Sequence, residues 1–166
     1  EYDHSIATAQ ITGGGAHDGR GGVSLNEVFY TSFENDPLAT VIEAKTGKKA
    51  RRGPIVIPSG HFKPATKYLV TWWGSLDGGK NWQPNRDVIS ELPFDGFTVG
   101  TAAHYVDEVS IIPEDASIST STWIPGIGKT SEGDGNGSTT YYRYDAFGRP
   151  TGILNNRKET THSYQY

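Results

Sequence analysis

Histidines, carboxylates and flat aromatics are the side chains in this sequence with chemistry to offer a ligand or substrate. The five histidines (His4, His17, His61, His104 and His162) are scattered, with none of the His-x-His or His-Glu-x-x-His spacings that bring two imidazoles to one metal. No Gly-x-Ser-x-Gly elbow presents a serine nucleophile, and no Gly-x-Gly-x-x-Gly opens a helix after a strand. Cysteine is absent, which excludes disulfides, thiolate zinc sites and cysteine nucleophiles together. Carboxylate pairs of the kind that hydrolyse glycosides can be drawn in many ways, and nothing in the spacing selects one. Enzyme activity is therefore unsupported by any motif. The aromatics are left, and their chemistry is stacking: a pyranose ring offers an apolar face of C–H groups to a flat side chain. Trp72, Trp73, Trp82 and Tyr105 are the candidates for carbohydrate binding.

The elements that position them are strands. Glycine numbers 21 and proline 9, and Trp 4, Tyr 9 and Phe 6 supply many aromatics, a composition suited to short pleated strands between turns. Hydrophobic content of 34% against 20% charged is too balanced for a disordered chain. Strands are expected at 28–34, 40–44, 49–57, 67–73, 97–102 and 105–112, separated by Asn35-Asp36-Pro37, Thr46-Gly47, Pro58-Ser59-Gly60, Asp77-Gly78-Gly79 and Asp95-Gly96. This spacing predicts an all-β sandwich or jelly roll. Helix is expected only as a turn or two over 85–92. In 68–73, alternation puts Tyr68, Val70 and Trp72 on one face and Leu69, Thr71 and Trp73 on the other, so one tryptophan is core and the other is available for a surface. Residues 1–27, with Gly13-Gly14-Gly15 and Gly19-Arg20-Gly21-Gly22, form a linker or irregular opening segment with one short strand near 5–12.

The formal charge is −4, and the longest basic run is Lys48-Lys49-Ala50-Arg51-Arg52, so nucleic acid is not an expected partner. No apolar stretch approaches the ~20 residues of a membrane-spanning helix. Methionine is missing even at position 1, so the chain is expected to start downstream of a natural N-terminus.

Past Pro113 the composition turns to Ser, Thr, Gly and Tyr. Trp123, Tyr144 and Tyr166 are 21 and 22 residues apart, and Ser121, Tyr142 and Tyr164 keep the same separations. Turn segments at 124–128 and 145–149, and again at 133–137 and 155–158, make each unit a strand, turn, strand, turn step. The run from Asp134 to Thr151, centred on Tyr142-Arg143-Tyr144-Asp145-Ala146-Phe147-Gly148-Arg149, resembles a YD repeat of the RHS family. In the preceding unit Trp123-Ile124 replaces Tyr-Asp. The resemblance implies that 117–166 begins a β-hairpin scaffold of the kind that winds into long shells in toxin-carrying or large cell-surface proteins. Further repeats of the same parent chain would be its partners, and the strand at 160–166 would have an unpaired edge, leading to disorder near Tyr166 or a strand contact with another chain. Tyr142 and Tyr144 are expected to share a face and stack with the next unit.

Residues 28–116 are similar to jelly-roll carbohydrate-binding modules of large bacterial surface proteins. Phe33-Glu34-Asn35, Lys45-Thr46-Gly47-Lys48-Lys49-Ala50, the Trp72-Trp73 strand and Tyr105-Val106-Asp107-Glu108-Val109-Ser110-Ile111 carry this similarity, though the insert before the last strand is short. It implies a structural Ca²⁺ held by Glu34 and Asp107, with Asp36, Thr46 and Lys48 completing the shell; the same acids can instead serve as strand-end partners of local backbone. Ser75-Leu76-Asp77-Gly78-Gly79-Lys80-Asn81-Trp82 fits the Asp-box pattern that recurs in sialidase propellers. A single copy predicts a hairpin in which Asp77 accepts turn N–H bonds and Trp82 packs beneath. The expected function is a non-catalytic module of a secreted or cell-surface bacterial RHS-repeat protein, such as an adhesin or toxin scaffold, binding a polysaccharide or cell-surface glycan. The alternatives are a purely structural spacer and a fragment of a glycan-active enzyme.

Overall fold

The computed structural model describes residues 6–13, 28–58, 66–90 and 96–166. They form fourteen strands and, among the described residues, no helix: β1 (Ile6–Gly13), β2 (Phe29–Thr31), β3 (Thr40–Val41), β4 (Lys49–Arg52), β5 (Ile55–Ile57), β6 (Tyr68–Ser75), β7 (Gln83–Ile89), β8 (Phe97–Val99), β9 (Tyr105–Pro113), β10 (Ala116–Ile124), β11 (Gly128–Asp134), β12 (Thr139–Tyr144), β13 (Pro150–Leu154) and β14 (Thr160–Ser163). The protein is all-β. His4, His17, His61 and the two glycine clusters at 13–15 and 19–22, Gly13 apart, lie outside the described residues.

The strands make one sheet in the order β3-β4-β9-β6-β7 with β2 also on β9, a second in the order β1-β10-β11-β12-β13-β14, and a two-stranded ribbon β5-β8. All pairings are antiparallel. Of the helical turn expected over 85–92, residues 85–89 instead belong to β7, paired along its length with β6, and 91–92 lie outside the described residues; the cross-strand partner outweighs a weak local preference.

The first sheet buries both faces, which is why β6 and β9 are buried along most of their length. On one face Tyr68, Val70 and Trp72 join Val106, Val109 and Ile111, covered by Phe33, Ile55, Ile57 and Val99. Each such side chain contributes about 1.5–3 kcal/mol through its removal from water. On the other face Leu69 and Ile112 meet Ile118 of β10, and this contact begins the interface with the second sheet. Strand β10 alternates cleanly: Ile118, Thr120 and Thr122 are buried, while Ser117, Ser119 and Trp123 are exposed. The buried positions are mostly threonine, so the layer between the sheets is polar beyond Ile118. Thr122 Oγ lies 2.6 Å from Ser131 Oγ and 2.8 Å from Thr130 Oγ.

The second sheet is a ladder of one recurring turn. At Asp134, Asp145 and Asn155 the side-chain oxygen accepts the N–H groups two and four residues ahead. The backbone repeats as well, each of these residues accepting from the third N–H onward and donating to the fourth carbonyl. The residue three positions ahead has positive φ: Gly137 84°, Gly148 75°, Lys158 61°. This is a type I turn closed by a left-handed residue. The period is 11 and then 10 residues, half the spacing of the aromatic repeat. Tyr142 and Tyr144 reach back to β11, donating to Glu132 Oε2 and the Lys129 carbonyl, so these bonds tie them to the preceding strand. Strand β1, from the opening segment, pairs with β10 and occupies one border of this sheet, with β14 at the other.

Candidate functional site

Strand β9 carries two adjacent acids, Asp107 and Glu108, between apolar Val106 and Val109. Strict alternation would send one carboxylate into the apolar core. A bulge prevents this: the β6–β9 register shifts between Thr71 and Trp73, and Glu108 takes φ 52°. Val106 and Val109 both stay in the core, while both acids face the polar layer.

The 45–49 loop closes over the acids with its N–H groups. Thr46 donates its N–H to Asp107 Oδ2 at 3.0 Å, and Glu108 donates its own to Asp107 Oδ1 at 2.8 Å. Glu34 Oε1 accepts from the N–H groups of Lys48 and Lys49, each at 2.9 Å. Gly47, at φ 62°, is required here because a Cβ would fall 2.4 Å from Glu34 Oε1. Thr46 Oγ donates to Glu108 Oε1, which also accepts from the Tyr30 hydroxyl at 3.0 Å. Thr120 of β10 adds a further hydrogen bond to Glu108. Beside it lies a cavity of about 70 Å³ lined in part by Tyr30, Thr71, Ser110 and Thr120, room for about two waters.

Lys45 supplies the buried cation. It is 3% exposed, its ammonium is 3.8 Å from the centroid of the Trp73 ring, and it donates to Asn156 Oδ1 at 2.6 Å. Tyr141 of β12 donates to the Lys45 carbonyl at 2.8 Å. One loop of the first sheet is therefore gripped by two elements of the second. Among the described residues no buried side-chain nitrogen or oxygen lacks a partner.

Burial pushes Asp107 well above the usual carboxyl range, with Glu108 adding repulsion. Glu108 is raised by burial against the opposing hydrogen bonds of Thr46, Tyr30 and Thr120. Glu34 rises through burial, tempered by its two backbone donors. Lys45 is lowered to about 8 by burial and by nearby Lys158. Burial also raises Tyr30 and Tyr141. These directions describe ionisable groups held in a poorly solvated layer.

Trp72 belongs to the apolar core and meets His104 edge-on at 5.5 Å. Trp73 faces the opposite way, as alternation requires, yet it is only 9% exposed, because the second sheet and Lys45 cover that face. Trp82 is half-buried, its indole N–H bonded to the Glu43 carbonyl at 3.0 Å. Tyr105 is half-buried with the Arg52 guanidinium 5.8 Å from its ring. Trp73 and Trp82 line one groove; Trp72 and Tyr105 are not part of it. The Asp-box segment forms a hairpin in which Asp77 accepts from Ser75 and from the Asn81 backbone and side chain, which holds its carboxyl at about 2.

Of the residues named for calcium, Glu34 and Asp107 both accept N–H groups of the 46–49 loop, and their buried oxygens have the hard-donor chemistry of a Ca²⁺ site. Asp36 is turned to Arg51 in an ion pair of 2.9 Å. Thr46 offers its N–H and hydroxyl to the two acids of β9, and Lys48 its N–H to Glu34. Among the described residues no three His, Cys, Asp or Glu side chains converge, so backbone carbonyls or water would have to supply most of a shell of about six to eight oxygens. Lys45, Glu108, Tyr141 and Asn156 were not singled out from the sequence. The acid pair inside an otherwise apolar strand was the available signal.

No protein-family model matches the chain, and no curated protein or solved structure matches it either.

Proposed function

We propose that this chain is a non-catalytic assembly module of a large secreted or cell-surface bacterial protein, in which a β-sandwich seeds an RHS-type hairpin scaffold. The observation that carries the reading is the recurrence of one turn at Asp134, Asp145 and Asn155. Each copy reverses the chain and adds one strand to the same sheet, so the geometry of one step is the geometry of the next. The last strand, β14, lies at the border of the sheet with its four residues exposed, and a bordering strand is a template for another. The spacer reading gains weight over direct sugar binding by the named aromatics, since Trp72 and Trp73 are spent on packing.

The test is to fuse a copy of residues 139–154 after Tyr166 and follow amide hydrogen exchange. Protection of the β14 amides on the newly paired edge supports templated growth. Unchanged exchange there, with the added segment unstructured, overturns it. Within the same reading Ca²⁺ is a structural ligand of Glu34 and Asp107. Adding Ca²⁺ to a chelator-treated sample should raise Tm, and Glu34→Gln should abolish the rise.

A further inference from the structure

The joint between the two sheets leaves a groove of about 590 Å³, within the size range of small-molecule sites. Its walls come from parts of the chain distant in sequence: the Asp-box hairpin, the 43–45 segment, Tyr141 of β12 and the turn after β13. Four basic side chains, Lys45, Lys80, Arg157 and Lys158, line it against one acid, Glu43, in a chain of formal charge −4. Of its aromatics, Trp73 is 9% exposed and Tyr141 is half-buried beneath lysines, which leaves Trp82 as the ring open to a ligand. The Lys45 ammonium stands 3.8 Å from the Trp73 ring centroid and 5.4 Å from that of Tyr141, and the Lys158 ammonium 5.7 Å from Tyr141.

We infer that this groove binds a carboxylate-bearing sugar of the uronic-acid class. Exposed cations beside the half-buried Trp82 ring suit an anion that also has an apolar face. A simple inorganic anion needs the cations and leaves the ring unused. A pyranose carboxylate uses both, stacking its C–H face on Trp82 while the carboxylate meets Lys80 or Arg157; Lys158 is already paired with Glu43 at 3.3 Å. Asn81 and Gln83, also lining the groove, are amides of the kind that hold hydroxyl groups. The groove requires both sheets, so neither the sandwich nor the hairpins alone would make it. The site is separate from the β14 border and does not depend on scaffold growth.

The full chain is titrated calorimetrically with a short oligogalacturonate, with the neutral galactose oligomer of equal length, and with a short polyglutamate. Saturable binding of the oligogalacturonate that weakens as salt rises, and exceeds that of both comparison ligands by about tenfold or more, supports the assignment. Lys80→Glu combined with Arg157→Glu changes two exposed positions, and with an unchanged Tm it should weaken binding by about tenfold or more. Trp82→Ala should weaken binding while leaving the salt dependence in place. No saturable binding, equal binding of polyglutamate, or full affinity in the doubly charge-reversed chain would each overturn the inference. The β14 exchange experiment reads out separately, so the two proposals fail independently.

Discussion

The Lys45 ammonium lies 3.8 Å from the ring centroid of Trp73, and the same nitrogen reaches Asn156 on the far sheet. Its aliphatic stem is buried with it. Lys45→Met keeps that stem volume and should cost at most about 1 kcal/mol, because an apolar isostere escapes the desolvation of a buried charge. Lys45→Ala opens a gap at the joint and should cost about 2–4 kcal/mol. Urea unfolding of the two variants checks the difference. The folded value of about 8 lies below the unfolded 10.5, so between them the unfolded chain holds the extra proton. Stability should therefore rise from pH 8 toward 10, and Lys45→Met should remove that rise.

On the acid side Asp107 and Glu108 work in the opposite direction. Both are raised above their unfolded values of 3.8 and 4.5, so their contribution to stability is fully present below those values. It is lost as pH rises through the folded values. Thermal melts should show a stabilising trend on acidification toward pH 5, and Asp107→Asn with Glu108→Gln should flatten it. An unchanged slope in the double variant would place the titration elsewhere. Saturating Ca²⁺ should flatten the same limb, since a bound cation favours the ionised acids.

Asp145 accepts three hydrogen bonds, from the Phe147 and Arg149 backbone N–H groups and from Arg149 Nε. Asp145→Ala leaves the turn without its internal acceptor and should destabilise the β12–β13 hairpin by about 1–2 kcal/mol. Amide exchange at Gly148 and Arg149 should accelerate ahead of residues in β6 and β9. Asn155→Asp keeps the acceptor oxygen but replaces the 2.8 Å bond from Asn155 Nδ2 to Glu159 Oε2 with two facing carboxylates, so it should cost about 1 kcal/mol at neutral pH, and Glu159→Gln should recover most of that.

Gly148 has φ 75° and open space where a Cβ would stand. Gly148→Ala therefore isolates the backbone cost of a left-handed residue, about 1 kcal/mol of lost stability. Lys158 occupies the matching position at φ 61° and already bears that cost. Lys158→Gly should relieve it, less the exposed 3.3 Å pair with Glu43, worth at most about 1 kcal/mol. In high salt, where the pair is screened, Lys158→Gly should be the more stable protein by chemical denaturation.

Most strands were legible because their signals are local. The turns at Asn35-Asp36-Pro37, Thr46-Gly47 and Asp77-Gly78-Gly79 bracket them, and the alternation in 68–73 correctly assigned Trp72 and Trp73 to opposite faces. The Asp-box hairpin followed from its residue types, with Asp77 accepting the Asn81 N–H as expected; the bond from the Trp82 indole to the Glu43 carbonyl was not foreseeable from the motif. The 85–89 stretch misled because Pro84-Asn85-Arg86-Asp87 has no strand signature of its own; β6 pairs with it regardless. The aromatic spacing exposed the longer repeat and two turns in each unit, while the identity of the turns at 134, 145 and 155 was hidden by the change from Asp-x-x-Gly to Asn-x-x-Lys at 155–158.

By itself the sequence determined an all-β chain, the positions of its turns and a repeating hairpin step, because turn geometry and strand alternation are decided by neighbouring residues. Tertiary structure alone decided that Asp107 and Glu108 share one side of β9, that Lys45 is buried between the sheets, and that Trp73 ends as an interior ring. Those outcomes depend on a bulge and on partners such as Thr120, Tyr141 and Asn156. The polar layer exists only where two sheets remove water together, and no single strand encodes that.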